Sequence, residues 1–276
     1  MNKGVSRRRS VANVLRTGFI LVALVVVLFP YLWVLLSSLK TPAQLSRPGL
    51  FLFEPVLDNW FAVLTAEIPQ NFLNSLFVGG ATVAISLLIA TPAAYAMGKH
   101  RTGGRLTRFG ILASELMPPA VLVVPLFLIA FFLQVNDSLL AVTAAHLTFV
   151  LPVITWFLIG FFEAVPRELE EQALVDGYGR FAAFRKVVLP QVLPGIAAAC
   201  IFGFVLSWND LFFALILAGG QTKTLPVAIA GYNTFRGVEL GEMSVAILVA
   251  VVPVLVLSFF VQKRLVRGIG GGGMKY

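Results

Sequence analysis

Charge is what this chain has least of. Only 12% of its 276 residues are Asp, Glu, Lys or Arg, and 58% are hydrophobic. An ordinary soluble domain carries about 25% charged and about 45–50% apolar residues. Both departures exclude a sizeable soluble module and point to a bilayer. Cysteine is nearly absent. Cys200 stands alone in an apolar run, so no intrachain disulfide can form, and a small buried apolar residue is the simplest reading. The His and Cys residues show no paired spacing of the kind a structural metal requires. No G-x-x-x-x-G-K-[ST] loop occurs: Lys99 follows Gly98, but no loop glycine precedes it at the right distance. The chain therefore has no such loop with which to cradle ATP, and no nucleophile–base constellation stands out.

Long apolar runs are present instead, from end to end. A spanning helix needs roughly 20 mostly apolar residues. Charge-poor runs predict six spans, at 17–39, about 71–98, 106–134, 139–162, about 191–217 and 243–262. The opening "NKGVSRRRS" followed by apolar residues is similar to a signal peptide. The apolar run is longer than an h-region of about 7–15 residues and no A-x-A-like site follows, so an uncleaved first span is expected. The expected organisation is an all-α polytopic membrane domain over 17–262, flanked by cytoplasmic segments 1–16 and 263–276.

Six spans put both ends of this sequence on one side. Of the 21 Lys and Arg, only Lys40, Arg47, Lys223 and Arg236 fall on the other. The positive-inside bias makes the basic side cytoplasmic. Topology thus explains the net charge of +8, and nucleic acid is not an expected partner. Ala90, Ala94 and Gly98 recur at four-residue spacing, as do Ala199 and Gly203. That spacing places small residues on one helix face, where backbones can approach closely.

One cytoplasmic segment, 163–190, interrupts the apolar runs with charge. Pro166 suits a helix start, and Glu168, Glu170 and Glu171 follow near the positive end of the helix dipole. Gly177 suits a left-handed helix end. A second helix is expected over about 179–188, with Pro190 breaking it before span five. Leu169, Ala173, Phe181 and Phe184 give this elbow an apolar surface. Two readings follow, a loop packed on its own spans or a docking knuckle for a cytoplasmic partner.

The segment resembles the EAA motif of ABC-importer permease subunits: E-A-A, three residues, G, nine residues, I, any residue, L-P. Here Glu171, Gln172 and Ala173 are followed by Gly177 and then by Val187, Val188, Leu189 and Pro190. Gln172 replaces an alanine and Val187 an isoleucine. The resemblance extends through "NFLNSLFVGGATVAISLLIATPAAYAMGKHR", "MPPAVLVVPLFLI" and "FVLSWNDLFFALIL". These look like carbohydrate-uptake permeases of the maltose/glycerol-phosphate type, second permease subunit. The resemblance implies the binding-protein-dependent (MetI-like) permease fold. It also implies a second homologous permease, two cytoplasmic ATPase subunits, an extracytoplasmic solute-binding protein and a carbohydrate substrate. It implies a prokaryotic cell membrane, no covalent catalysis by this chain and no cofactor of its own, with ATP and Mg²⁺ held by the ATPases. Coupling would fall to Glu171, Gln172, Ala173, Asp176, Gly177, Phe181, Leu189 and Pro190. The end "VRGIGGGGMKY" resembles a tail that reaches between the ATPases.

Acids inside spans are costly, about 2.5–3.5 kcal/mol on insertion scales. Glu115, before Pro118–Pro119, and Asp210, in "SWNDLFFAL", are therefore expected to face protein or water. Ser207, Trp208, Asn209 and Asp210 either help the spans pack or line a translocation path with Glu115. His146 reads as a satisfied interior histidine, and Asn74 and Ser75 as capping or interhelical groups. An ion-coupled secondary transporter is the alternative class, for which mid-membrane acids and broken helices would be the marks.

Overall fold

The computed structural model describes residues 3–47, 49–235 and 237–271. It is almost wholly helical and divides into two compact units. One holds Met1–Ala66 with Gly231–Val251, the other Glu67–Ala230 with Val252–Tyr276.

In the first unit α1 (Lys3–Ser38) contains the apolar stretch Leu15–Ser38. Its 24 residues rise about 36 Å, enough for a hydrocarbon core of about 30 Å. Short helices α2 (Pro42–Leu45) and α3 (Asp58–Thr65) follow. Thr41 and Gln44 cap α2 reciprocally. Lys40 is buried, yet its ammonium donates to the Leu50 carbonyl at 2.7 Å and lies 4.9 Å over the Phe53 ring. Asn59 ties α3 to the end of α1 by donating to the carbonyls of Ser38 (3.0 Å) and Lys40 (2.9 Å). A two-residue hairpin, β1 (Asn233–Thr234) with β2 (Gly237–Val238), precedes α13. Helix α13 (Leu240–Gly271) continues well past the expected end of span six, through the segment expected to be a separate tail. Residues 272–276, the last of that tail, lie outside the described residues.

The second unit is a helical bundle. It comprises α4 (Ile68–His100), α5 (Gly104–Glu115), α6 (Pro119–Phe132), α7 (Leu139–Ala164), α8 (Arg167–Val175), α9 (Arg180–Ala183), α10 (Leu189–Trp208) and α11 (Phe212–Leu217), with α12 beginning at Leu225 and ending at Gly231. Helices α4, α7 and α10 form its centre, through Ala90, Ala94, Val150, Ile154, Leu158, Phe162, Val192 and Ala199. In lipid the drive to pair comes from packing more than from escape from water, so small residues matter. A Cβ on Gly98 would sit 3.0 Å from the Ile159 carbonyl oxygen and 3.0 Å from Phe162 Cβ. One on Gly203 would sit 2.6 Å from Ile154 Cδ1. The four-residue spacing of small groups thus marks real close approaches of α4 and α10 to α7.

Two expected spans are not single helices. Span three is the pair α5–α6, bent by 89° at Leu116–Pro118. Pro118 adopts extended backbone (ψ 133°) and Pro119 opens the next helix, since a proline disfavours helical backbone in the residue before it. The pair still passes from one end of the unit to the other. Arg108 of α5 bonds Glu163 at 2.6 Å, whereas Asp137, just after α6, accepts from Gly219 N at 2.8 Å and from the Thr222 hydroxyl. Span five ends at Trp208, not 217; a break at Asn209–Leu211 separates α10 from α11.

At its start, span five corrects a second expectation. Pro190 does not break the helix. Helix α9 runs through a π turn, Phe184–Val188, directly into α10. Leu189 N–H bonds back to the Phe184 carbonyl, so the ladder shifts register one residue before the proline that lacks a donor.

Candidate functional site

The elbow is built from α8, Gly177 and α9. Acids Glu168 and Glu170 sit in the first turn of α8, where the dipole favours them. Gly177 adopts φ +85°, with Tyr178 N–H bonding the Ala173 carbonyl (3.0 Å) and Gly177 N–H the Leu174 carbonyl (3.1 Å). That is the Schellman closure, and it needs a residue at ease with positive φ. No atom lies within 4 Å of a Cβ built there, so conformation alone selects glycine.

One face of the elbow is locked to the bundle. The Tyr95 hydroxyl of α4 hydrogen-bonds the buried Glu170 carboxylate, and His100 Nε2 lies 3.7 Å from the same group. Lys99, also buried, donates to the carbonyls of Val165 (2.6 Å) and Pro166 (3.0 Å), orphan acceptors at the end of α7. Tyr95, Phe162 and Phe184 pack ring against ring, with Tyr95–Phe184 centroids 4.6 Å apart. Ala173 belongs to this inner face, and Leu169 and Phe184 pack against the core, so three of the four residues expected to form the elbow's apolar surface turn inward.

The opposite face is apolar and open. Val175 is 87% and Phe181 75% exposed, with Leu174 and Tyr178 beside them. Glu171, Gln172 and Asp176 are exposed on the same segment. Lys186 lies 5.1 Å over the Tyr178 ring. Of the candidate coupling residues, Glu171, Gln172, Asp176, Gly177 and Phe181 therefore lie on the accessible side. Ala173 is internal, and Leu189 and Pro190 open α10.

The candidate path residues separate into two groups. Glu115 and Asp210 line one cavity of about 210 Å³, together with Ser114, Thr148, Phe149 and Phe213. It lies where the α5–α6 break meets the α10–α11 break. Asp210 Oδ2 accepts from Phe213 N (3.1 Å) and Ala214 N (3.2 Å), capping α11, and contacts His146 Nε2 at 3.1 Å. His146 Nδ1 lies 2.7 Å from Ser207 Oγ. All groups are satisfied when Nε2–H donates to Asp210 and Nδ1 accepts from the Ser207 hydroxyl. Ser207 thus stands behind Asp210, joined to it by His146. Trp208 is buried between Phe72 and Phe204, each with its centroid 5.5 Å away, and Asn209 donates to its own helix at Val205 O (2.8 Å). Neither lines the cavity. Sequence reasoning read His146 as an interior histidine, which it is, but not as the partner of Asp210. Thr148 and Phe149, two and three residues on, gave no signal of their own.

Asn74 and Ser75 act at the opposite end from the elbow. Asn74 donates to the carbonyls of Gln221 (2.8 Å) and Lys223 (2.9 Å), and Ser75 Oγ accepts from Leu225 N (2.7 Å). They pin the loop before α12 to the start of α4. Among the described residues no group of three or more His, Cys, Asp or Glu is placed to hold a metal ion.

Comparison with known proteins accords with this architecture. Residues 83–271 match the family of binding-protein-dependent transport system inner membrane components. The chain is 36% identical over 253 residues to the sulfoquinovosyl glycerol transport system permease protein of Agrobacterium fabrum, covering 90% of this chain and 89% of that one. It is 32% identical over 253 residues to the trehalose transport system permease protein of Mycobacterium tuberculosis, covering 90% and 92%. Among solved structures, a chain of a bacterial ABC transporter involved in the import of alginate superimposes with a TM-score of 0.74 at 21% identity, covering 93% of this chain and 97% of that one. An inward-facing methionine ABC transporter gives a TM-score of 0.59 at 17% identity, covering 77% and 98%. With more than half of its length matched by the family model, the chain is a member of the binding-protein-dependent transport system inner membrane component family, a family of transport permeases and not of enzymes.

Proposed function

We propose that this chain is one transmembrane subunit of an ATP-driven importer that brings a carbohydrate into a prokaryotic cell. The observation that carries the coupling is the two-faced elbow. Its inner face is fixed to α4 and α7 through Glu170, Lys99 and Tyr95, and its outer face presents Leu174, Val175, Tyr178 and Phe181. A rigid knuckle with an open apolar tip transmits force from a partner without deforming. The partners are two cytoplasmic ATPases, which hold ATP and Mg²⁺, a second homologous permease and an extracytoplasmic solute-binding protein. The relative named for trehalose transport supports carbohydrate cargo. The positive-inside bias of the basic residues supports a cytoplasmic elbow and cytoplasmic ends of this sequence. ATP closes the ATPases, the elbow passes the motion to the spans, and the bundle alternates between inward-open and outward-open states. Glu171, Asp176, Gly177 and Phe181 act at the ATPase contact, while Leu189 and Pro190 join the elbow to α10. Family membership removes the support for an ion-coupled alternative.

Affinity purification of the tagged chain from its own host tests the assembly. An ATPase and a second permease should come with it, and uptake should fail on ATP depletion while membrane potential persists. Uptake that follows the potential and ignores ATP contradicts the reading.

A further inference from the structure

The cavity at the two helix breaks has an acidic polar lining. Its polar lining is Ser114, Glu115, Thr148 and Asp210, set against Phe149 and Phe213, whose rings stack at 5.6 Å and 12°. Among the described residues, neither lysine nor arginine lines it. His146 is engaged by Ser207 and Asp210 behind the wall. The volume of about 210 Å³ is that of roughly seven liquid waters at about 30 Å³ each. Non-helical backbone at membrane depth persists where it is buried in protein or lines a wet cavity, and both breaks, Leu116–Pro118 and Asn209–Leu211, adjoin this space. Asp210 Oδ2 accepts from the N–H groups of Phe213 and Ala214 and lies 3.1 Å from His146 Nε2.

We infer that this cavity is a charge filter on the translocation path, which passes hydroxyl-rich carbohydrate that is neutral or cationic and rejects carbohydrate that bears phosphate, carboxylate or sulfonate. Glu115 and Asp210 accept hydrogen bonds from sugar hydroxyls or an ammonium, and half-buried Phe149 offers apolar surface to a sugar ring. An anion here meets the carboxyl groups of Glu115 and Asp210 with neither lysine nor arginine among the described lining residues to offset them. The inference rests on the reading of Glu115 and Asp210 as path residues, and it narrows the cargo to sugars, polyols and amino sugars.

The test needs no knowledge of the cargo. Cys200 is the only cysteine, so Thr148→Cys in a Cys200→Ala background places a single thiol on the cavity wall, and Ser114→Cys supplies a second position. In membranes that contain the intact transporter, the thiol is titrated with a cationic methanethiosulfonate (ethyltrimethylammonium) and an anionic one (ethylsulfonate). Each rate is normalised to that reagent's rate with 2-mercaptoethanol, with and without ATP plus vanadate. The cationic reagent should react about tenfold faster or more, and Glu115→Gln with Asp210→Asn should bring the ratio close to one. If neither reagent reacts at either position in either state, the path reading itself fails. Equal normalised rates with both carboxylates intact overturn the filter and leave the path reading standing. A ratio that survives the double substitution overturns the assignment to Glu115 and Asp210.

Discussion

Tyr95 and Glu170 are hydrogen-bonded although 75 residues separate them. The bond joins the elbow end of α4 to the first turn of α8. With Lys99 holding the carbonyls of Val165 and Pro166, it makes the elbow move with α4 and α7 as one body. Glu170→Ala strands the Tyr95 hydroxyl in a partly buried site, which costs about 1–3 kcal/mol. The expected result is an inserted, assembled chain whose partner ATPase turns over without driving uptake. Glu170→Gln keeps an acceptor for Tyr95 and should restore most of the coupling. Coupled ATPase and uptake assays in proteoliposomes check this; equal behaviour of the two variants would count against the latch.

Gly177 tests the elbow's shape. Its φ of +85° lies where a β-branched residue is strained by about 1–2 kcal/mol. Gly177→Val should leave membrane insertion intact, since nothing crowds the site, while ATPase activity and transport separate. Normal uptake by this variant would remove the elbow from the coupling route.

His146 and Asp210 give a graded prediction at the cavity. Removing a hydrogen bond to a buried charged group costs about 1.5–3 kcal/mol. His146→Ala should lower thermal stability in detergent by that order, because Asp210 loses its 3.1 Å partner. Asp210→Ala should impair uptake with complex assembly preserved. Uptake kinetics unchanged in Asp210→Ala would return this residue to a capping role for α11.

Much of the helical layout is legible in the sequence. Charge-poor runs locate spans because a bilayer tolerates few ions, and the Gly177 stop and the small-residue stripes follow from local geometry. The Pro118–Pro119 pair marked a weak point, but the 89° turn depends on how α6 packs against α7 and α11. Pro190 was misleading for a physical reason. A proline forbids the usual ladder bond, yet the π turn at Phe184–Val188 moves the ladder around it. The pairings Tyr95–Glu170 and His146–Asp210 had no local signature. A polar side chain's partner is set by which helices meet, and periodicity does not carry that information. The inward turn of Leu169, Ala173 and Phe184 was hidden likewise, since composition reveals an apolar surface without saying what covers it.

The central claim is that a separate motor grips the outer face of the elbow. The most direct measurement is site-directed cross-linking from Val175, whose side chain is 87% exposed. With Cys200→Ala removing the native thiol, Val175→Cys in intact cells should be shielded from a membrane-impermeant maleimide added outside. In the purified transporter it should cross-link to an ATP-hydrolysing subunit. Labelling from outside the cell, or an introduced thiol that no other polypeptide of the assembled transporter approaches, would contradict the proposed coupling.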